Sequence, residues 1–218
     1  MKQTLGDKIK ADYKQYGCMG YSKRVCKSLL RRLGIKYETY YYLENHIDYE
    51  KQKSYFESKH LAGVRELQYA DYENNPQLGY VGERLKLQQD RFAKGSYKAY
   101  GVVKNDKLQY ACMISLEEFI TSEKWVAGKL KEDAGFMLDA YCSPELRGQG
   151  IHGTMNAYRL MKLYELEKRK SVVIVICDNK PALKSQLKVG YHIVFKYYTL
   201  ELFGRHYTNF YERKYRNE

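Results

Sequence analysis

Residues 143 to 154 read S-P-E-L-R-G-Q-G-I-H-G-T, immediately after an apolar run, Phe136 to Tyr141, and immediately before a periodic segment, Thr154 to Lys168. Strand, glycine-rich turn and helix in that order bring several backbone N–H groups and the positive end of a helix to one place, which suits a pyrophosphate. A single Gly-x-Gly turn is common and alone usually just connects two elements. The pattern gains weight further along. Val172 to Cys177 forms a second β-branched run, and Asp178-Asn179-Lys180-Pro181-Ala182 opens another helix that closes at Val189-Gly190-Tyr191.

Taken together, Arg147-Gly148-Gln149-Gly150, the helix, the buried strand, the Asn-x-x-Ala helix start and the Gly-aromatic close resemble the GNAT acetyltransferase superfamily over residues 96 to 213. The family's acyl-CoA signature is Gln/Arg-x-x-Gly-x-Gly/Ala; Arg147 and Gly150 match it, His152 stands where Gly or Ala is usual, and Gly153 follows one position late. The resemblance implies acetyl-CoA as co-substrate, with the backbone N–H groups of Arg147, Gly148, Gln149, Gly150, Ile151, His152 and Gly153 around its pyrophosphate and the Thr154 hydroxyl beside them. Arg147 would add its charge, or only its backbone. Tyr141 and Cys142 would offer a strand edge to pantetheine, and the Cys142 N–H would serve the developing oxyanion. Asn179 matches a CoA contact and also reads as an ordinary helix cap. Members of the family often carry a tyrosine acid seven residues after that Asn; here the position is Gln186, which can donate a hydrogen bond but has no useful proton to give.

Transfer of an acyl group from a thioester to an amine needs the two held together, a route for the amine proton and a donor for the oxyanion. Asp139, a carboxylate in a mostly apolar segment, is the first candidate base, with Glu117 and Glu118 as competitors. Ser185, Tyr191 and Cys177 lie near the missing acid, and none is assigned. His152 would touch phosphate or close the turn. Cys142 and Cys177 lack a sequence-evident His partner, so direct attack by the amine is the simpler chemistry.

Composition sets the bounds. A chain of 218 residues fits one domain, 1–218, read as an acyl-CoA-binding core over 96–213 with residues 1–95 shaping the acceptor side. No apolar run has the length of a membrane span, and the polar start M-K-Q-T-L-G-D-K is no secretory signal, so a cytoplasmic protein is expected. Five scattered cysteines without a C-x-x-C pair indicate neither disulfides nor zinc, and no metal is expected. The net charge of +12 favours anionic partners: CoA itself, or an amine acceptor that is phosphorylated or nucleotide-linked. Nucleic-acid binding ranks lower, because no RNP-like string, KH loop or zinc finger accompanies the 24 tyrosines.

The elements that must position these residues follow from periodicity. Ser22 to Leu33 has Cys26, Leu29, Leu30 and Leu33 at helical spacing before Gly34, with Lys23, Arg24, Lys27, Arg31 and Arg32 on a face read as solvated. Tyr37 to Leu43 reads as the first strand, Asp48 to Leu67 as one or two helices, Asn74-Asn75-Pro76 as a break and Val81 to Ala93 as a helix. Tyr97 to Val103 and Leu108 to Leu116 form a hairpin, Phe136 to Cys142 the next strand, and Ile193 to Leu202 with His206 to Arg213 a C-terminal hairpin around Gly204. The expected fold is α/β (α+β): a mixed, largely antiparallel twisted sheet flanked by helices, its central strands splayed. The function implied is an acetyl-CoA-dependent N-acetyltransferase acting on a primary amine of a small molecule by direct attack. A CoA-binding regulatory module without turnover is the alternative.

Overall fold

A computed structural model describes residue 22 and residues 25–122 and 125–211. Of the expected first helix, Lys23 and Arg24 fall outside these, as do Arg213 and the N-terminal octapeptide.

Among the described residues the main sheet has eight strands. In chain order they are β1 (Ile35–His46), β2 (Val64–Leu67), β3 (Tyr97–Lys104), β4 (Lys107–Ser115), β7 (Ala134–Cys142), β8 (Lys170–Ile176), β9 (His192–Leu202) and β10 (Arg205–Tyr211), while β5 (Glu118–Ser122) and β6 (Trp125–Lys129) form a separate hairpin. Across the sheet the order is β10-β9-β1-β8-β7-β4-β3-β2, antiparallel everywhere except β7 with β8. The helices are α1 (residues 25–32), α2 (Tyr49–Glu57), α3 (Tyr69–Glu73), α4 (Glu83–Lys94), α5 (Ile151–Glu165) and α6 (Lys180–Lys188).

The pleat sends alternate residues to two cores. On one face Tyr42, Ala99, Ala111, Met113, Phe136, Leu138 and Val172 meet Tyr72 of α3, Phe92 of α4 and Phe119 of the hairpin. On the other, Leu43, Tyr110, Cys112, Ile114, Met137 and Val173 meet Ile151, Met155, Leu160 and Leu163 of α5, with Leu183 of α6 against them. α2 lies on α5, stacking Tyr49 on Tyr164 at 5.0 Å and Phe56 against Tyr158 at 5.0 Å. The turn of the β3–β4 hairpin has both central residues left-handed, Asn105 at φ 51 and Asp106 at φ 57, which matches the twist of the flanking strands.

The strand expected at Tyr37–Leu43 is present as part of β1, which is inserted between β8 (Tyr41 opposite Val175) and β9 (Tyr40 opposite Tyr197). Two expectations are corrected. The place beside β3 is taken by β2, where the sequence reads as helix: α2 ends at Glu57, and Val64–Leu67 pairs with Ala99–Val102. Finally, the apolar residues of α1 are not its buried face, since Leu29 is 53% and Leu33 65% exposed. Its basic side is what holds it, through Lys27 to Glu38 (2.6 Å) and Asp178 (2.9 Å).

Candidate active site

The parallel pair β7–β8 lasts only three residues, Ala134 to Phe136 against Lys170 to Val172. Beyond it β7 stays with β4 as far as Cys142 opposite Tyr110, and β8 stays with β1 as far as Ile176 opposite Tyr40, so a gap opens between them. The departure coincides with a bulge. Leu138 faces Met113 and Tyr141 faces Ala111, leaving Asp139 and Ala140 opposite the single residue Cys112. Asp139 is left-handed at φ 48, a conformation Asp tolerates better than most residues, and a bulge of this kind bends its strand. At the far end, Ser143 N–H donates to Gln109 O (2.9 Å). Because antiparallel ladders alternate, Cys142 therefore turns its N–H and C=O away from β4, toward the gap.

The chain then runs through a 3-10 turn, Pro144–Leu146, into the glycine-rich loop. Gly148 and Gly150 have φ of 79 and 76, and a Cβ placed on either would meet nothing within 4 Å. Both conformations belong to glycine, and both leave the backbone bare. α5 follows with no acidic residue in its first turn. Its ladder begins with Thr154 N–H to Gly150 O (3.2 Å), so the amides of Ile151, His152 and Gly153 precede any intrahelical acceptor. The loop thus has the bare backbone, leading amides and helix polarity that fit a pyrophosphate. Its side chains are occupied elsewhere. Arg147 Nε donates to Cys142 O (3.2 Å), Gln149 to Glu145 O (2.9 Å), and the buried Thr154 hydroxyl donates back to Gly150 O (3.3 Å). At Gly153 a Cβ would stand 3.2 Å from the hydroxyl of the exposed Tyr55 of α2, a close contact that this side chain relieves by a small shift.

His152 Nδ1 lies 2.9 Å from the hydroxyl of Tyr110, a fully buried residue of β4. Burial raises the Tyr110 pKa far above neutrality, so the tyrosine keeps its proton and the two groups share a hydrogen bond whose direction follows the imidazole tautomer. His152 is exposed by surface area, yet partial desolvation of its ring and the nearby Arg159 charge hold its pKa below the usual imidazole value.

Asp139 is held by α4. Its Oδ2 accepts from Gln88 (2.7 Å) and Arg91 (2.9 Å), and its Oδ1 from Arg84 (3.3 Å) and, at the outer limit, Tyr80 (3.5 Å). Two guanidiniums and an amide thus engage its lone pairs. Sequence reasoning missed these partners, although Arg84, Gln88 and Arg91 form a polar stripe at helical spacing. Glu118 is equally committed. Burial works against its charge, but Lys94 (2.6 Å) and Tyr97 (2.6 Å) outweigh that and hold its pKa low. Glu117 is exposed.

On the β8 side, Asn179 caps α6 by accepting from Ala182 N–H (3.2 Å). The Tyr191 hydroxyl is buried against Ser171 (2.8 Å), so it packs rather than facing the gap. Burial pushes the Cys177 and Cys142 thiols up, which suits neither to nucleophilic attack. Among the described residues no group of His, Cys, Asp and Glu could hold a metal ion, and no helix is long and apolar enough to cross a membrane.

No protein-family model matches the chain, and no curated protein matches it. Solved structures do. A functionally unknown conserved protein from Staphylococcus epidermidis is similar over 92% of this chain and 82% of its own, at 12% identity and a TM-score of 0.53. The likeness is one of fold. Similar too are a protein described as a GNAT-family acetyltransferase from Novosphingobium aromaticivorans (10% identity, 76% and 65% of the two chains, TM-score 0.47) and a predicted acetyltransferase with acetyl-CoA from Clostridium acetobutylicum (15%, 59% and 88%, TM-score 0.43).

Proposed function

We propose that this chain is an acetyl-CoA-dependent N-acetyltransferase that passes an acetyl group to a primary amine of a small molecule by direct attack. The observation that carries the reading is the continuity of three features: a strand that leaves its parallel neighbour after Phe136, a residue, Cys142, whose N–H and C=O turn into the gap, and a bare glycine loop feeding the first turn of α5. In this reading the amides of Gly148 to Gly153 hold the pyrophosphate, and Tyr141 and Cys142 align pantetheine as an added strand. Acetyl-CoA supplies the activated acyl group. In this reading the Cys142 N–H stabilises the oxyanion, and Arg147 restrains the following peptide by donating to the Cys142 carbonyl.

The engagement of Asp139 and Glu118 leaves proton removal from the amine to water in the gap, and Gln186 leaves the thiolate without a side-chain acid. Turnover is then slow, as positioning and electrostatics act without general acid–base help worth ~10²–10⁴-fold. Isothermal titration with acetyl-CoA and thiol release across a panel of amines test the reading. Saturable binding with release on at least one amine supports it; no binding at millimolar acetyl-CoA sinks it. Gln186 also motivates a second reading, a CoA-binding module without turnover, which binding without release on any amine would establish. Gln186→Tyr is expected to raise an existing rate.

A further inference from the structure

The bulge on β7 is gripped from both faces of the sheet. From the α5 side, the buried Arg159 sends Nη1 to the carbonyls of Met113 (3.4 Å) and Leu138 (3.2 Å), the pair at which the register shifts, and its other nitrogen to Asn156 of its own helix. From the opposite side α4 holds the Asp139 carboxylate with Arg91, itself buried, together with Gln88 and Arg84. Arg84 in turn lies over the Tyr80 ring at 4.3 Å, and Tyr80 meets Tyr141 edge-on at 6.5 Å. Two arginines from different helices therefore fix the one left-handed residue of the strand whose far end carries Tyr141 and Cys142.

We infer that Arg91 and Arg159 are positioning residues which, through the Asp139 bulge, set the direction in which β7 leaves β8 and hence where the Cys142 N–H points. The inference rests on the transfer reading for its catalytic consequence, but its structural part does not. A bulge bends a strand, and a buried planar guanidinium, its donors fixed in direction, restrains a carboxylate better than a flexible point charge does. These contacts of the two arginines lie at the bulge rather than at the loop of Gly148 to Gly150, so loss of the grip is expected in the transfer step rather than in cofactor affinity.

The test compares wild type with Arg91→Met and Arg91→Lys by amide hydrogen exchange of residues 137–142 and by steady-state kinetics. In Arg91→Met, exchange in that segment is expected to quicken at least about tenfold while β3 and β9 are unchanged. The kcat falls about tenfold with KM for acetyl-CoA within about twofold, and Arg91→Lys recovers part of both effects. If the Met variant does not fold, the Lys variant carries the same comparison at smaller amplitude. Unchanged exchange at 137–142 in a folded variant overturns the inference, as does quickened exchange with kcat intact in an active enzyme. Wild type that binds no acetyl-CoA overturns the transfer reading instead, and the exchange data then decide the grip on their own.

Discussion

A methyl group at position 150 separates what the protein needs from what its ligand needs. Alanine there must take φ 76, a strain of ~1 kcal/mol, but its Cβ enters open space, so a folded Gly150→Ala variant is expected with acetyl-CoA affinity reduced about tenfold or more by titration. His152 yields a pH test. Desolvation and Arg159 lower its folded pKa below the ordinary 6.5, so between those two values the unfolded chain binds more protons than the folded one, and stability drops as pH falls through that window. Thermal melts at pH 7.5 and below 6 should show a fall in wild-type Tm that is smaller in His152→Asn. The fall does not vanish, because burial lowers the pKa of His206 too. A wild-type Tm that is flat across this interval would contradict the assignment of a neutral, Tyr110-bound ring.

Elements show where packing rather than chemistry governs. Gly135 sits in the three-residue parallel contact, and a Cβ there would fall 2.1 Å from Leu163 Cδ2 in the last turn of α5, a fully buried side chain. Gly135→Ala is therefore expected to cost ~1–3 kcal/mol in urea denaturation, by forcing α5 off the sheet at the point where β7 and β8 meet. The elements around this point were legible in the sequence: Phe136–Cys142, the glycine loop, Val172–Cys177 and the Asn179 cap all lie where the residue pattern puts them, because each is specified by neighbours close in the chain. Other features depend on distant contacts. Nothing local marks Asp139 as an anchored anion, since its partners Arg84, Gln88 and Arg91 lie far upstream on α4 and only the fold brings them together. Val64–Leu67 reads as the tail of a helix because a four-residue edge strand is too short to show alternation.

For the whole molecule, β1 is the largest departure from what periodicity could supply: Tyr37–Leu43 announces a strand, but no residue in it states which neighbours it takes. Its position means that residues up to 46 are not an appendage. Removing them strips β8 and β9 of their shared partner and deletes the buried Tyr40, Tyr42 and Leu43, so the shortened chain is expected to lose its cooperative melt and near-ultraviolet dichroism. A cooperatively melting product would show that the two flanking strands can close on each other. During vectorial synthesis the same insertion creates a waiting period. Tyr41 leaves the ribosome long before Val175 and Lys196, its neighbours on either side, and at 5–20 residues per second the delay is on the order of ten seconds. Through that interval a tyrosine-rich segment has two unsatisfied margins, so nascent-chain holdases or a slow, topology-limited final step are the natural companions of this architecture.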